Sequence, residues 1–542
     1  MQKNQIYLIV SAAVIVIIAA AAAVVVIGDD DDDNDEKNNT TSGYTKMWII
    51  GNANLDNYVN ADDVEYIQGI IDGKNPVKHF VGEISGNKID VNMADVNCDG
   101  VVDSKDVEKL QSMISATADS PKQVIYYVDV DGNVNSMHFP AVTLISTYEQ
   151  NSKQLQTIDA MDMIIAWDYQ SAAHIYASQW ASGDNAIPVI FNSYDERKDP
   201  DAELIERYAP DAVLTGTSSI YCQNLEVSLP SNRENMDIIR ISSWEDDNVI
   251  EGTLTLGFMI LKNAEAQAYA DWAQGWFDTI SDKVSTLSDD EIVNVLCPRG
   301  SYNDWNVTFN GPRSGKYETS LLAGANNIIT RNLTSTSTNI VVNDEWVKTQ
   351  SDLDWIVAIV YGDLDNASRT VTSDPSGSSV TYTNKSFFDT ATSYWSGMTE
   401  QYGTKVAVVD NLVSQGTTYV IGAVYMAKWF YPTLFQDMDP DAIFSEFLTK
   451  FFNYDYDQSA YYTDGGSIAI GPASTNSSVT GYAEISVLGN AELGDSQVDG
   501  TSSVKGIIGD ALCGAYPSRF QSCIYGVPLS DGSGVFAKVS QV

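Results

Sequence analysis

The chain has 542 residues and carries 73 acidic against 30 basic side chains, a formal net charge of −43. A negative field of this size repels polyphosphate, so it excludes a nucleic-acid partner. Hydrophobic residues make up 44% of the sequence, which is enough to form buried cores. The composition therefore predicts a folded acidic protein of roughly three to four structural units, at about 150 residues each.

The first 28 residues contain an almost unbroken apolar run, residues 6–27. A run of about 20 apolar residues can cross a bilayer as a helix, and it is longer than the apolar part of most secretory signals. An uncleaved transmembrane anchor over residues 1–28 is therefore favoured over a cleaved signal peptide. Lys3 weakly indicates a cytoplasmic N-terminus. The predicted location is the cell membrane, single-pass, with the bulk of the chain extracellular.

Two further segments lack the pattern of a packed core. Residues 29–45 are rich in Asp, Asn, Thr and Ser without apolar periodicity, which predicts an acidic flexible linker. Residues 458–542 are rich in Gly, Ser and Thr with short alternating runs, which predicts a small β-rich C-terminal extension of no assigned role.

Two loops carry oxygen-bearing residues at the spacing of a calcium-binding loop. Calcium prefers six to eight oxygen ligands, and glycine at loop position 6 permits the sharp turn between them. The second loop has Gly100 at that position, and its predicted ligands are Asp95, Asn97, Asp99, Val101 through its carbonyl, Asp103 and Asp106. The corresponding ligands of the first loop are Asn52, Asn54, Asp56, Tyr58, Asn60 and Asp63. The first loop holds fewer charges, so we expect it to bind calcium more weakly. A solvated Asp/Asn-rich turn is the alternative.

Each loop leads into an amphipathic helix, and the two helices start alike, as Asp63-Val-Glu-Tyr-Ile-Gln and Asp106-Val-Glu-Lys-Leu-Gln. This duplication over residues 46–117 resembles a dockerin, a small all-α, EF-hand-like calcium module. The resemblance implies two calcium ions and a cohesin-type protein partner, although such a module can also pair with its own chain. The insert of residues 72–91 is longer than the resemblance leads us to expect.

The main body alternates short apolar runs with helical segments, which predicts an α/β fold with parallel sheets. The expected strands begin at Val124 and continue at 141–146, 163–167, 188–191, 211–215, 293–296, 355–360 and 405–409. One long helical stretch, about 247–288, separates an N lobe of about 122–246 from a C lobe of about 289–457.

Several segments of this body resemble the substrate-binding proteins of ABC importers for cobalamin, haem and iron-siderophores. Examples are Tyr127-Val-Asp-Val-Asp-Gly-Asn-Val, Leu204-Ile-Glu-Arg-Tyr-Ala-Pro-Asp and Tyr317-Glu-Thr-Ser-Leu-Leu-Ala-Gly. Their order spans about residues 122–455. The resemblance implies a two-lobed substrate-binding domain, 118–457, with parallel sheets joined by a long helix and a ligand held between the lobes. It also implies an ABC permease as partner, with Glu345 at a permease-docking position.

In such folds the ligand contacts loops that leave the C-terminal ends of strands. The aromatic side chains there suit a flat macrocycle or a catecholate, and the arginines suit an acidic ligand. For each aromatic, packing in a core is the alternative. The candidate substrate-binding residues are Tyr148, Trp167, Tyr169, Trp244, Arg299, Trp305 and Arg313.

No motif of an enzyme stands out, because the sequence has three histidines and lacks HExxH, GxSxG and GxxxxGK[ST]. The first hypothesis is therefore an anchored, non-enzymatic receptor that binds an iron chelate, haem or a corrinoid for an importer. The alternative is a surface assembly or adhesion protein that recruits cohesin-type partners. A carboxylate-based hydrolase is a third, weaker possibility.

Overall fold

The structure is a computed structural model, and the transmembrane anchor, the linker and nearly all of the C-terminal extension predicted above lie outside the residues it describes. Among the described residues, no helix is both long and apolar enough to cross a membrane. The described residues are 47–84, 87–173, 178–181, 186–215, 222, 225, 236–244, 248–300, 308–312, 314–331, 339–342, 344–360, 368–371, 380–383, 394–410, 414–454 and 469–470.

The chain forms two compact units, one containing most residues up to Asp278 and the other most residues from Thr279 onward. The first unit begins with the two repeated helices, α1 (Ala61–Ile71) and α2 (Ser104–Ile114). Each helix starts with a capping box, in which the N-cap and N3 side chains each accept a hydrogen bond from the backbone N–H of the other residue.

The insert between the two repeats forms an antiparallel hairpin of strands β1 (His79–Ile84) and β2 (Asn87–Asn92). Phe80 and Ile89 of this hairpin are buried, which explains why the insert folds as strands. The module is therefore a helix pair with a hairpin, and the prediction of an all-α module was wrong on this point.

Among its described residues, the body of unit 1 contains a hairpin, a parallel sheet and several helices, the last of which continues past Asp278 into unit 2. The hairpin strands are β3 (Gln123–Val128) and β4 (Val134–Phe139). The sheet strands are β5 (Leu144–Ser146), β6 (Ile164–Asp168), β7 (Val189–Phe191), β8 (Ala212–Thr215) and β9 (Asp237–Arg240). The helices are α3 (Glu149–Thr157), α4 (Tyr169–Ala173), α5 (Ser178–Ala181), α6 (Tyr194–Lys198), α7 (Ala202–Tyr208), α8 (Val249–Met259) and α9 (Asn263–Val284).

All five strands of this sheet run parallel, in the order β7-β6-β5-β8-β9. After β5, the chain adds β6 and then β7 on one side of that strand. It then returns to the other side of β5, where it adds β8 and then β9. The strand order therefore reverses between β5 and β8, and this is the point where open α/β sheets form a crevice at their C-terminal edge.

The N-terminal module shares a core with this body. Ile50 N donates to Tyr126 O and Val128 N donates to Trp48 O, both at 2.9 Å, so the segment before the first loop pairs with β3. Trp48 N also donates to Thr255 Oγ1 of α8 at 3.0 Å. One buried cluster joins the module to Val128 of β3 and consists of Trp48, Ile50, Phe80, Ile89, Met93 and Val128. The module is thus an integral part of unit 1.

The predicted single long helix is interrupted between α8 and α9. Leu261 has a positive φ of 63°, which ends the regular helix, and Lys262 N donates to Gly257 O at 2.6 Å. A Cβ atom on Gly257 would lie 2.4 Å from the Cβ atom of Ala266. The close packing of the start of α9 on the end of α8 therefore requires the break.

Unit 2 contains a second sheet, whose described strands are β10 (Asn294–Leu296), β11 (Arg299–Gly300), β13 (Asn326–Asn327), β15 (Trp355–Val360), β18 (Lys405–Asp410) and β19 (Ala469–Ile470). Their order is β13-β10-β15-β18-β19, with β11 beside β15, and among these described strands β19 alone runs antiparallel. Two antiparallel pairs are β12 (Thr308–Asn310) with β14 (Asn339–Val341), and β16 (Ser368–Val371) with β17 (Val380–Thr383). The helices are α10 (Gly315–Leu322), α11 (Asp344–Lys348), α12 (Ser396–Tyr402), α13 (Tyr419–Phe430) and α14 (Pro440–Phe451).

The packing of α8 provides a test of the fold. A Cβ atom on Gly252 would lie 2.0 Å from the carbonyl oxygen of Ser242, whereas a Cβ atom on Gly275 of α9 meets nothing within 4 Å. We expect Gly252→Ala to lower the free energy of unfolding by about 1–3 kcal/mol through overpacking. Gly275→Ala should raise it by about 0.5–1 kcal/mol through helix propensity. Urea denaturation measures both, and equal shifts of the same sign would contradict this packing.

Candidate functional site

Polar residues follow the C-terminal ends of adjacent strands in the sheet of unit 1. Thr147 follows β5, Asp168 ends β6, and Thr215 ends β8. Because the strands are parallel, these positions meet at one edge of the sheet. Both the backbone N–H and the hydroxyl of Thr147 donate to Leu214 O, at 3.1 and 3.2 Å, and this fixes the ends of β5 and β8 side by side. We call this region the polar edge.

A chain of hydroxyl groups runs along the polar edge. Ser152 Oγ of α3 donates to Ser146 Oγ at 2.7 Å and lies 2.8 Å from Ser171 Oγ of α4. Ser171 in turn donates to Asp168 Oδ1 through both its hydroxyl and its backbone N–H. These contacts connect the first turns of two helices to the ends of two strands.

Asp168 and Arg197 form a buried ion pair at the end of this chain. Arg197 Nη1 lies 3.4 Å from Asp168 Oδ2, and the two residues are 3% and 0% exposed. Burial raises the pKa of Asp168 to about 6, although the Ser171 hydrogen bond and the charge of Arg197 act in the opposite direction. The carboxylate is therefore held by its neighbours and closed to solvent.

Two of the predicted tyrosines contact this arginine. The guanidinium carbon of Arg197 lies 5.5 Å from the ring centroid of Tyr148 and 5.5 Å from that of Tyr169. Both distances are in the range of a cation–π interaction. Tyr148 and Tyr169 follow different strands, so the arginine joins two loops of the polar edge.

Helix α3 is unusual because it is polar and buried. Every residue from 150 to 157 is buried, and Leu155 is the one apolar residue among them. The amide of Gln154 donates to Ser242 O at 2.8 Å and to Thr253 Oγ1 at 3.0 Å, which ties α3 to the segment after β9 and to α8. Helix α3 therefore brings amide groups to the polar edge.

The structure brings together only some of the predicted binding residues. Tyr148 and Tyr169 meet at Arg197, and Trp244 lies half-buried just after β9. Trp167 is fully buried, because its side chain packs inside unit 1, so it presents no surface to a ligand. In unit 2, Arg299 forms part of β11 and Glu345 is exposed on α11. The predicted residues Trp305 and Arg313 lie outside the described residues.

The sequence did not point to Arg197 or to the serine chain. Arg197 stands in the charged segment Tyr194–Lys198, which is typical of a solvated helix. Asp168 directly follows a predicted strand. The expectation that ligands contact loops at the C-terminal ends of strands, which selected Tyr169, therefore applies to Asp168 as well.

The second predicted calcium loop is folded around its oxygen-bearing side chains. Asp95 accepts from the backbone N–H groups of Asp99 and Gly100, at 3.1 and 2.9 Å. Asn97 accepts from Asp99 N at 2.8 Å, and Asp106 accepts from Asn97 N at 3.1 Å. Gly100 has a φ of +89°, as the sharp turn requires. In the first loop, the amide of Asn52 donates to Met47 O at 3.0 Å and to Asp56 O at 2.6 Å, so hydrogen bonds close that loop.

The donor set of the second loop fits calcium by its chemistry, since carboxylate, amide and carbonyl oxygens are the ligands that this ion prefers. Within the described part of the chain, no three His, Cys, Asp or Glu side chains come together as a metal site. A calcium ion in the second loop would therefore also need the Asn97 amide oxygen and the Val101 carbonyl.

No family model matches the sequence, and no curated protein matches it. Several solved structures are similar over part of the chain. A TroA-like periplasmic binding protein, FepB from Veillonella parvula, has 18% identity and a TM-score of 0.46, over 61% of this chain and 97% of its own. CeuE from Helicobacter pylori with Ni(II) bound has 11% identity and a TM-score of 0.44, over 60% and 96%. A periplasmic haem-binding protein from Pseudomonas aeruginosa has 13% identity and a TM-score of 0.39, over 54% and 94%.

The ion pair at the polar edge provides a pH-dependent test. Arg197→Met leaves Asp168 buried without its cation, so we expect the free energy of unfolding to fall by about 3–5 kcal/mol at pH 7.5. The loss should be smaller at pH 5. An acid with a raised pKa in the folded state takes up a proton below that value, and the uncompensated charge then disappears. Urea denaturation at the two pH values measures the difference.

Arg331→Met is the matched control, because Arg331 Nη1 lies 2.7 Å from Asp352 Oδ2 in a pair whose side chains are 32% and 56% exposed. Such exposed pairs contribute about 1 kcal/mol or less. If Arg197→Met lowers the free energy of unfolding only slightly, or by the same amount at both pH values, Asp168 and Arg197 do not form a buried ion pair.

Proposed function

We propose that the chain is the extracellular substrate-binding component of an ABC importer for a metal chelate, namely an iron-siderophore, haem or cobalamin. The observation that carries this proposal is the polar edge at the point where the strand order of unit 1 reverses. Tyr148, Asp168, Tyr169 and Arg197 meet there although they come from three separate segments of the chain. A second parallel sheet in unit 2 supports the two-lobed arrangement that the sequence resemblance implies.

The polar edge has the composition of a binding site rather than of a catalytic one. Ligand sites combine aromatic faces with a few fixed polar groups, and the two tyrosines around Arg197 supply this combination. Asp168 accepts hydrogen bonds from Ser171 and faces Arg197, so it is not free to act as a general base. This arrangement favours a non-enzymatic receptor.

The remaining parts of the chain fit the same proposal. Glu345, exposed on α11, is our candidate for contact with the permease. The apolar run of residues 6–27 would anchor the protein with its bulk outside the cell. A surface assembly protein with a cohesin-type partner is less well supported, because the module that would recruit that partner shares its core with unit 1.

We also propose that the N-terminal module binds calcium, with the second loop as the stronger site. The support is the set of hydrogen bonds that holds Asp95, Asn97 and Asp106 against the backbone of that loop. The first loop, which carries fewer charges and is closed by the amide of Asn52, would bind calcium more weakly.

Ligand binding is tested by tryptophan fluorescence of the full chain in detergent, titrated with ferric chelates, haemin and cyanocobalamin. We expect saturable quenching by at least one of them. Tyr148→Ala should weaken that binding by about tenfold, or about 1.4 kcal/mol. Tyr66→Ala is the control, because Tyr66 lies on α1 of the N-terminal module, outside both predicted calcium loops, and its hydroxyl donates to Pro76 O at 3.1 Å. If none of the compounds binds, the proposed function is wrong.

Calcium binding is tested by isothermal titration calorimetry of the chelator-treated full chain. We expect one stronger and one weaker site, and Asp99→Asn should weaken the stronger one by about tenfold because the loop loses a charge. Asp90→Asn is the matched control, since Asp90 contacts His79 on the hairpin outside both loops. Equal effects of the two substitutions would rule out the second loop as the site.

A further inference from the structure

The first predicted calcium loop is closed by an amide at the position where the second loop has a carboxylate. The NH₂ group of Asn52 donates to Met47 O at 3.0 Å and to Asp56 O at 2.6 Å, and its amide oxygen accepts from Asp56 N at 3.1 Å. Asp95, at the same position of the second loop, has only acceptor oxygens. Because the NH₂ group of Asn52 faces two carbonyl oxygens, the amide cannot turn its oxygen toward an ion without losing both bonds.

A lysine from outside the first loop also contacts it. Lys78 Nζ donates to the backbone oxygen of Asn54 at 2.9 Å and lies 4.9 Å from the ring centroid of Tyr66 on α1. The second distance is in the range of a cation–π interaction, and the lysine is half-buried. A positive charge is thus held beside Asn54, whose side chain is one of the predicted calcium ligands.

The insert between the two repeats positions this lysine. Lys78 directly precedes β1, and its carbonyl accepts from the backbone N–H of Met93, the residue after β2, at 3.4 Å. Met93 O in turn accepts from Gly51 N, directly before the first loop, at 2.9 Å. The β1–β2 hairpin therefore brings Lys78 to the first loop through backbone contacts.

The second loop has a looser contact of this kind and more negative charge. Lys105, which belongs to that loop, lies 3.5 Å from Asp99 Oδ2, and its side chain is 67% exposed. The predicted ligands of the second loop include four carboxylates, whereas those of the first include two, Asp56 and Asp63. The ammonium of Lys78 offsets one of these two charges. Calcium affinity depends on the charge of the ligand set, so the first loop is disfavoured twice.

We infer that Lys78 is an internal cation of the first loop, which together with the amide of Asn52 takes the place of calcium there. An ion entering this loop would meet the charge of the ammonium and would have to turn the amide, so both groups lower its affinity. The insert then makes the two loops unequal and leaves the second as the loop that responds to calcium. This inference rests on the proposed calcium binding by the module and identifies the residues that set the difference between its loops.

Lys78→Met tests the internal cation, and Lys74→Met is the matched control. Lys74 Nζ lies 2.7 Å from Asp72 Oδ2 in an exposed pair, so the control removes the same charge from the same module outside both loops. In calorimetric titration of the chelator-treated full chain, Lys78→Met should raise the calcium affinity of the weaker site by about tenfold. Lys74→Met should leave it unchanged. Equal affinities of the weaker site in the two variants overturn the inference.

Thermal unfolding of the same two variants gives a second readout. With chelator, Lys78→Met should have a lower Tm than Lys74→Met, because Asn54 O loses its donor. With calcium this difference should shrink, because an ion that binds the first loop more tightly in Lys78→Met stabilises that variant more. A difference of the same size with and without calcium overturns the inference.

Combining Asn52→Asp with Lys78→Met should convert the first loop into a calcium site within about tenfold of the affinity of the second, because the ligand set gains a carboxylate and loses the internal cation. The full chain should then bind two ions of similar affinity. If the unaltered chain shows no stronger site, the proposed calcium binding by the second loop is wrong. The double variant still decides the inference in that case: a gained site supports it, and no gained site overturns it.

Discussion

The arrangement of the candidate site depends on the parallel pairing of β5 with β8 at the centre of the unit 1 sheet. This pairing sets the point at which the strand order reverses, and Thr147 locks it by donating twice to Leu214 O. The pairing of β5 with β8 also positions α3, because this helix starts directly after β5 and carries its amide side chains to the polar edge. The charged pair of Asp168 and Arg197 is then buried beside a helix that is itself polar. Such an edge is costly to bury, and the proposed binding of a ligand would account for that cost.

The N-terminal module and the α/β body are joined by backbone pairing as well as by side-chain packing. The segment at Trp48 and Ile50 extends the β3–β4 hairpin, while the hairpin of the insert adds Phe80 and Ile89 to the shared core. Binding of calcium by the module would therefore stabilise unit 1 as a whole, since a ligand that binds only the folded state shifts the equilibrium of everything that folds with it.

Much of the fold could be predicted from the sequence, because the continuous apolar runs of the parallel strands and the capping residues of α1 and α2 are local signals. Tyr148 and Tyr169 were found in the same way, as residues that follow strands. Arg197 was not, because its burial depends on Asp168, which lies 29 positions earlier in the chain. The break at Leu261 was also missed, since it results from close packing of α9 on Gly257. Long-range packing of this kind leaves no periodic trace in the sequence.

The pairing of the module with β3 also has a consequence for any shortened form of the protein. A chain that started after residue 117 would lose the backbone partner of Tyr126 and Val128. Strand β3 would then present an open edge next to an uncovered apolar surface, and such edges recruit other chains into mixed sheets. The boundary predicted between the N-terminal module and the α/β body is thus a poor place to cut, and self-association of the fragment would be easily mistaken for a natural oligomer.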